Sequence, residues 1–134
     1  MEQLWHRDDA ISTHYANVIL HEGHAYGFHG HAMESGGPNL RRVELASGKM
    51  MWEQPQTGSG TILRAGDNLL ILTDRGQLQL AKASPVGFKI KCRAQFVTPI
   101  ARSYPAIADG YVFVKGPRKL VCVDLRAPAG VGRP

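Results

Sequence analysis

The sequence predicts an all-β protein built from repeated antiparallel strands, and three observations lead to that prediction. Short strands alternate with turns along most of the chain, which has 15 glycines and 8 prolines among 134 residues. The clearest unit, residues 40–52, reads as a strand, a tight turn and a second strand that closes on a tryptophan. Units with the same order of strands and turns restart twice further along the chain.

The unit at 40–52 follows the rules for a strand–turn–strand element. Residues 42–45 alternate polar and apolar side chains, which is the period of a half-buried strand. Gly48 ends the small, polar turn at 46–48 and tolerates the φ values that hairpin turns require. Trp52 has a large apolar ring and an indole N–H, which suits a position between two sheets near a backbone carbonyl. An ordinary core tryptophan of another β fold is the alternative interpretation.

Twelve strands are predicted in chain order. One, at 3–7, is expected to be the outermost strand of a preceding unit. Four strands follow in a unit at 14–58, four at 59–102 and three at 103–126. The tail at 127–134 is rich in proline, glycine and alanine and is predicted to be flexible.

Three turn glycines make the repeat quantitative. Gly23, Gly66 and Gly110 lie 43 and 44 residues apart, within the roughly 40–50 residues of a four-stranded propeller blade. The spacing predicts a partial β-propeller of four-stranded antiparallel blades. About three blades of material form an open arc, because closed propellers need roughly 4–8 blades. Uncovered apolar faces and unpaired edges of such an arc are expected to favour self-association.

Basic residues are spread over the chain, whose net charge is +5. Nucleic-acid binders usually concentrate such charge on one face with interleaved aromatic residues. The scattered pattern instead predicts a solvated β surface and no nucleic-acid partner. The small groups of basic residues are Arg41 and Arg42; Lys89, Lys91 and Arg93; and Lys115, Arg118 and Lys119.

Cysteine usage and hydropathy exclude several classes. Cys92 and Cys122 have no CxxC spacing, so neither a zinc ribbon nor a redox motif is predicted, whereas a disulfide remains open. The longest aliphatic run, 69–72, is far shorter than the ~20 residues of a membrane span. The first nine residues lack the basic and apolar regions of an export signal. A cytoplasmic chain and a missing true N-terminus are both consistent with that.

A histidine tract is the one candidate for a metal site. His29 and His31 would project to the same side if their strand continued past Gly30, so two imidazoles could converge on zinc. Histidines on the surface or rim are the alternative, because no cysteine or carboxylate lies at ligand spacing.

A family resemblance follows from these repeats. Residues 43–52 resemble the pyrroloquinoline-quinone (PQQ)-like β-propeller repeat, with a strand, an acidic residue, an alanine-containing turn with Gly-Lys and a docking tryptophan. Residues 105–114 with 120–125 resemble the last repeat of such bacterial proteins. The middle unit has lost this ending, and Lys82 replaces its acidic residue. The resemblance, which extends from Leu4 to Arg126, implies structural docking roles for Trp52, Trp5, Gly48, Glu44 and Asp124.

The resemblance specifies a fold more than an activity. Quinoprotein dehydrogenases of this fold hold PQQ and calcium with convergent carboxylates, but no such ligand set is recognisable here, so no cofactor is expected. The expected function is a non-catalytic scaffold or binding module, partnered by the remaining blades of a longer chain, by a second copy, or by a protein or small molecule at the blade loops. The alternative is a fragment of a quinoprotein-type oxidoreductase whose active site lies in missing blades. The family implies a periplasmic or exported parent.

Overall fold

A computed structural model describes residues 1–35 and 37–126. Within these residues there is no helix, and eleven strands form three antiparallel sheets, so the all-β prediction is confirmed. The predicted tail at 127–134 lies outside the described residues. The strands are β1 (Ile19–His21), β2 (His24–His29), β3 (Asn39–Glu44), β4 (Met50–Gln54), β5 (Gly60–Ala65), β6 (Asn68–Thr73), β7 (Gln77–Lys82), β8 (Lys89–Gln95), β9 (Ala106–Ala108), β10 (Tyr111–Lys115) and β11 (Leu120–Asp124).

Each sheet connects its strands in sequence order. The first sheet has the order β1-β2-β3-β4 and the second the order β5-β6-β7-β8, while β9, β10 and β11 form the third. The outer strand expected at 3–7 is wrong, because β1 begins only at Ile19. The backbone of a strand must pair with the edge of a neighbouring strand. Residues 3–7 instead contact the first sheet through the side chain of Trp5, which lies against the turn at 45–48.

Tight turns set the start of the second strand in every sheet. The starts of β2, β6 and β10 lie 44 and 43 residues apart. Gly23 and Gly110 have φ values of 72° and 80° and occupy the second central position of their turns. In the second sheet the positive φ, 60°, belongs to Gly66 at the first central position, so Asp67 is the residue equivalent to Gly23. The repeat is therefore shifted by one residue from the glycine alignment.

The second sheet is covered on both faces. In β6, Leu69 and Ile71 belong to the core cluster shared with the first sheet, while Leu70 and Leu72 belong to the cluster shared with the third. All four are at most 2% exposed. An apolar strand of this kind needs cover on each side, which explains why β6 has no alternation of polar and apolar residues. The three sheets consequently pack face to face in chain order.

A bulge recurs at the same place in the first two sheets. The β3–β4 register shifts between Arg42 and Val43, and the β7–β8 register shifts between Leu80 and Ala81. Trp52 pairs with Arg42 just before the first shift, and Cys92 pairs with Leu80 just before the second. Trp52 and Cys92 therefore occupy equivalent positions in successive sheets.

Two arginines depart from the predicted solvated surface. Arg42 is 7% exposed, lies over the ring of Tyr26 and donates a hydrogen bond to the Pro85 carbonyl at 3.3 Å. Arg41 forms an ion pair with Glu53 and donates hydrogen bonds to backbone carbonyls of the N-terminal segment. The prediction is wrong for this pair because both faces of β3 are covered, one by the second sheet and the other by residues 9–10. The remaining basic residues of the three groups are exposed.

Candidate docking sites

Trp52 lies between the first and second sheets. Its ring centroid is 6.0 Å from that of Tyr26 in the first sheet and 6.5 Å from that of Phe88, just before β8 of the second. The indole N–H donates a hydrogen bond of 3.0 Å to the carbonyl of Ser84 in the second sheet's β7–β8 connection. The ring therefore supplies apolar contact, and its one polar group is paired.

Trp5 makes a similar contact at the end of the first sheet. Its indole N–H donates to the Leu45 carbonyl at 2.7 Å, directly after β3. Gly48, with φ of 71°, leaves room for the ring, because an added Cβ would lie 3.0 Å from two ring carbons and 2.7 Å from Cδ of Arg7. Both tryptophans thus donate to a carbonyl that follows the third strand of a sheet.

Glu44 and Asp124 end the third strands of their sheets and pair opposite the first residue of β2 and β10. The Glu44 carboxylate accepts a hydrogen bond from the Ser47 hydroxyl in the turn. Asp124 accepts hydrogen bonds from the Arg126 backbone N–H at 2.9 Å and from its guanidinium at 3.0 Å. These contacts fix the chain as it leaves each strand. Lys82, at the equivalent place in β7, is exposed.

The two histidines of the metal hypothesis are separated by a break in the strand. β2 ends at His29, and Gly30 has φ of 103°, so the strand does not continue as the hypothesis assumed, although His29 and His31 both line a cavity of about 420 Å³. The ring of His31 instead stacks on His14 with centroids 3.7 Å apart. Residues 1–35 and 37–126 contain no group of three or more His, Cys, Asp or Glu placed to hold a metal ion.

His29 is held in its neutral form by its surroundings. Burial lowers the pKa of the imidazole below its ordinary value, and the nearby positive charge of Arg41 lowers it further. The backbone N–H of Ser12 donates a hydrogen bond of 3.1 Å to Nδ1 of His29. Nδ1 therefore acts as an acceptor, and His29 ties the N-terminal segment to β2.

A polar cleft of about 680 Å³ lies where loops of the first two sheets meet. Two positive side chains, Arg75 and Arg93, share its walls with two negative ones, Glu34 and Asp74. Amide groups from β7 and β8 add further donors and acceptors. The balanced charge favours a neutral polar ligand over a strongly anionic one.

The outer face of the third sheet carries exposed apolar side chains. Phe113 is 38% exposed and Leu120 is 67% exposed. By strand register, Phe113 occupies the position of Tyr26 and Leu70, which are at most 2% exposed. The strand register, which the sequence does not reveal, places these two residues on the same face of the sheet.

No protein-family model matches this chain, and no curated protein matches it. The described residues include no helix that is long and apolar enough to cross a membrane. The family resemblance of residues 43–52 accordingly stays a proposal that depends on the residues themselves.

Proposed function

We propose that this chain is a non-catalytic scaffold or binding module of the PQQ-like β-propeller type, with its three sheets as successive blades. Four features support the proposal: the strand order common to the sheets, the spacing of 44 and 43 residues, the face-to-face packing and the recurrent bulge. Each is typical of blades made by repetition of one supersecondary unit.

The proposed binding function depends on the exposed outer face of the third sheet. Phe113 and Leu120 stand at positions whose equivalents in the first two sheets pack against the following sheet. Exposed apolar patches of this kind mark interaction surfaces. The third sheet therefore receives a further blade-like sheet, and in a solution of this chain alone a second copy supplies it.

The loop cleft gives the module a place for a ligand besides its sheet partner. Gln77 and Gln79 line it, and the Gln79 side-chain amide N–H donates a hydrogen bond to the Gln77 amide oxygen at 2.8 Å. Paired amides beside balanced charges suit a polar, hydroxyl-rich molecule, because each amide offers both a donor and an acceptor.

Light scattering tests the sheet-docking role. The wild-type chain should show concentration-dependent association, whereas the double variant Phe113→Lys/Leu120→Lys should be a monomer, because two charges would have to be buried in the contact. Val86→Lys is the matched control, since Val86 is 93% exposed on the β7–β8 connection, away from this face. Circular dichroism melts establish that each variant is folded.

The proposal is contradicted by a wild-type chain that stays monomeric up to about millimolar concentration, the weak end of specific association. It is equally contradicted if the folded double variant associates as strongly as the wild type, because the contact would then lie elsewhere.

A further inference from the structure

The two interfaces between the sheets differ at one equivalent position. Trp52 fills the interface between the first and second sheets, where its ring packs near Tyr26 and Phe88. Cys92 stands at that register position in the second sheet and faces the third, because its partner Leu80 packs in the cluster shared with the third sheet. A thiol is much smaller than an indole, so the second interface lacks the volume that Trp52 provides at the first.

A cavity lies where this volume is missing. It measures about 210 Å³ and is lined mainly by apolar side chains from the second sheet and from the third strand of the third sheet, among them Leu70, Leu80, Phe96 and Val123, with Cys92. Arg93 and Asp124 supply its polar rim. Apolar cavities of roughly 150 Å³ stay dry and bind benzene, so this one has room for a larger planar ring.

We propose that this cavity is a binding site for a small planar aromatic molecule of indole size. The neighbouring interface identifies the class of occupant, because the equivalent position there holds an indole ring. The cavity lies between the second and third sheets, at the position equivalent to that of the Trp52 ring between the first and second sheets. Cys92 is exposed to solvent, which places an entrance at the thiol.

The polar groups also indicate how a bound aromatic ring would be oriented in the cavity. Trp52 donates its N–H to the carbonyl of Ser84, two residues after Lys82 ends β7. By register the corresponding carbonyl in the third sheet belongs to Arg126, which is not part of the cavity wall but directly follows Leu125, which is. A ring with an N–H donor should therefore bind more tightly than an isosteric ring without one.

Alkylation of the thiol measures occupancy directly. The experiment uses the Phe113→Lys/Leu120→Lys background, so that association on the outer face does not shield Cys122, which lies beside Phe113 on that face. Saturating indole should slow alkylation of Cys92 by iodoacetamide about fivefold or more, a fold-change equivalent to roughly 1 kcal/mol of protection. Alkylation of Cys122 is the internal control and should not change. 1-Methylindole should protect Cys92 less well at equal concentration.

Filling the cavity covalently gives a second readout. Cys92→Trp should raise the melting temperature and abolish the further rise that indole produces in the parent protein. Cys122→Trp, on the opposite face of the third sheet, should leave that indole response intact. If Cys92→Trp fails to fold, the alkylation rates decide the question alone.

Three results would overturn the site. Indole could leave both the Cys92 alkylation rate and the melting temperature unchanged. The Cys92→Trp protein could keep the full indole response. Alternatively, Cys92→Trp introduced alone into the wild-type chain could abolish its self-association, which would mean that a second copy fills the cavity. The first two results leave the outer-face docking role untouched, whereas the third would also count against it; that role is tested separately by Phe113 and Leu120.

Discussion

Individual side chains hold the sheets together through paired contacts as well as apolar area. Trp52 combines ring packing with a hydrogen bond to Ser84 across the sheet boundary. Arg42, beside it, covers Tyr26 and binds the Pro85 carbonyl. A boundary with both kinds of contact resists sliding of one sheet over the other, because the hydrogen bonds are satisfied in only one arrangement.

Trp52→Ala should lower the free energy of unfolding by about 3 kcal/mol, the lower end of the range for removing a buried aromatic, because the ring is only partly buried. Trp52→Phe is the matched control: it keeps much of the ring and loses the N–H, so about 1 kcal/mol is expected. Urea melts measure both. A loss below about 1 kcal/mol for the alanine variant would show that the ring does not link the sheets.

His29 should make the protein less stable in mild acid. Its pKa is lowered in the folded state from the ordinary 6.5, mainly by burial, so the unfolded state binds the proton more readily below that pH. Stability conferred by the neutral ring is present above pH 6.5 and declines as pH falls below it. The melting temperature should drop between about pH 7 and about pH 5, and less so in His29→Gln.

The control for His29 is His6→Gln, whose side chain is 69% exposed. This variant should follow the wild-type pH profile. Equal pH profiles for His29→Gln and the wild type would show that His29 does not carry the effect.

Some strands and contacts can be predicted from the sequence, and others cannot. The four strands predicted at 14–58, the four at 59–102 and the three at 103–126 all form, because tight turns delimit successive strands. The strand at 3–7 could not be excluded from its own pattern, since the partner edge that it lacks is a tertiary property. The burial of Arg41 and Arg42 likewise depends on what covers β3, which the alternation of 42–45 does not reveal.

The sequence shows that the second unit lacks a docking tryptophan, but it does not show which residue stands at the equivalent position. Only the recurrent bulge aligns Cys92 with Trp52 and thereby locates the cavity. In the same way, the shift from Gly66 to Asp67 depends on the turn type and not on the spacing of glycines. Features that depend on strand register can therefore be identified only from the structure.

The 46–48 turn offers a test at the level of an element. Gly48→Ala should cost about 1–3 kcal/mol, because φ of 71° is unfavourable for alanine and the new Cβ would press on the ring of Trp5. Lys82→Ala, an exposed change at the end of an equivalent strand, should stay within about 0.5 kcal/mol. Thermal melts compare the two. If Gly48→Ala destabilised the protein no more than Lys82→Ala does, the turn would not hold the Trp5 ring in the way described.

Residues 1–35 and 37–126 form a stack of three sheets, with further chain covering the first sheet and exposed apolar side chains on the outer face of the third. Residues 1–18 contribute to the cover of the first sheet, where Ile11 and Val18 approach Gly27 of β2. The third sheet presents Phe113 and Leu120 to solvent. This asymmetry explains why association is expected through the third sheet, and why charges on that face should suppress it.

Successive sheets pack face to face, with Trp52 between the first two. Nuclear Overhauser effects from the Trp52 indole test it most directly, recorded on the Phe113→Lys/Leu120→Lys protein to limit association. Cross-peaks are expected from the indole to the ring of Phe88 and to Ser84, both contributed by the second sheet unit. Cross-peaks confined to residues 19–54 of the first sheet, with none to Phe88 or Ser84, would contradict it.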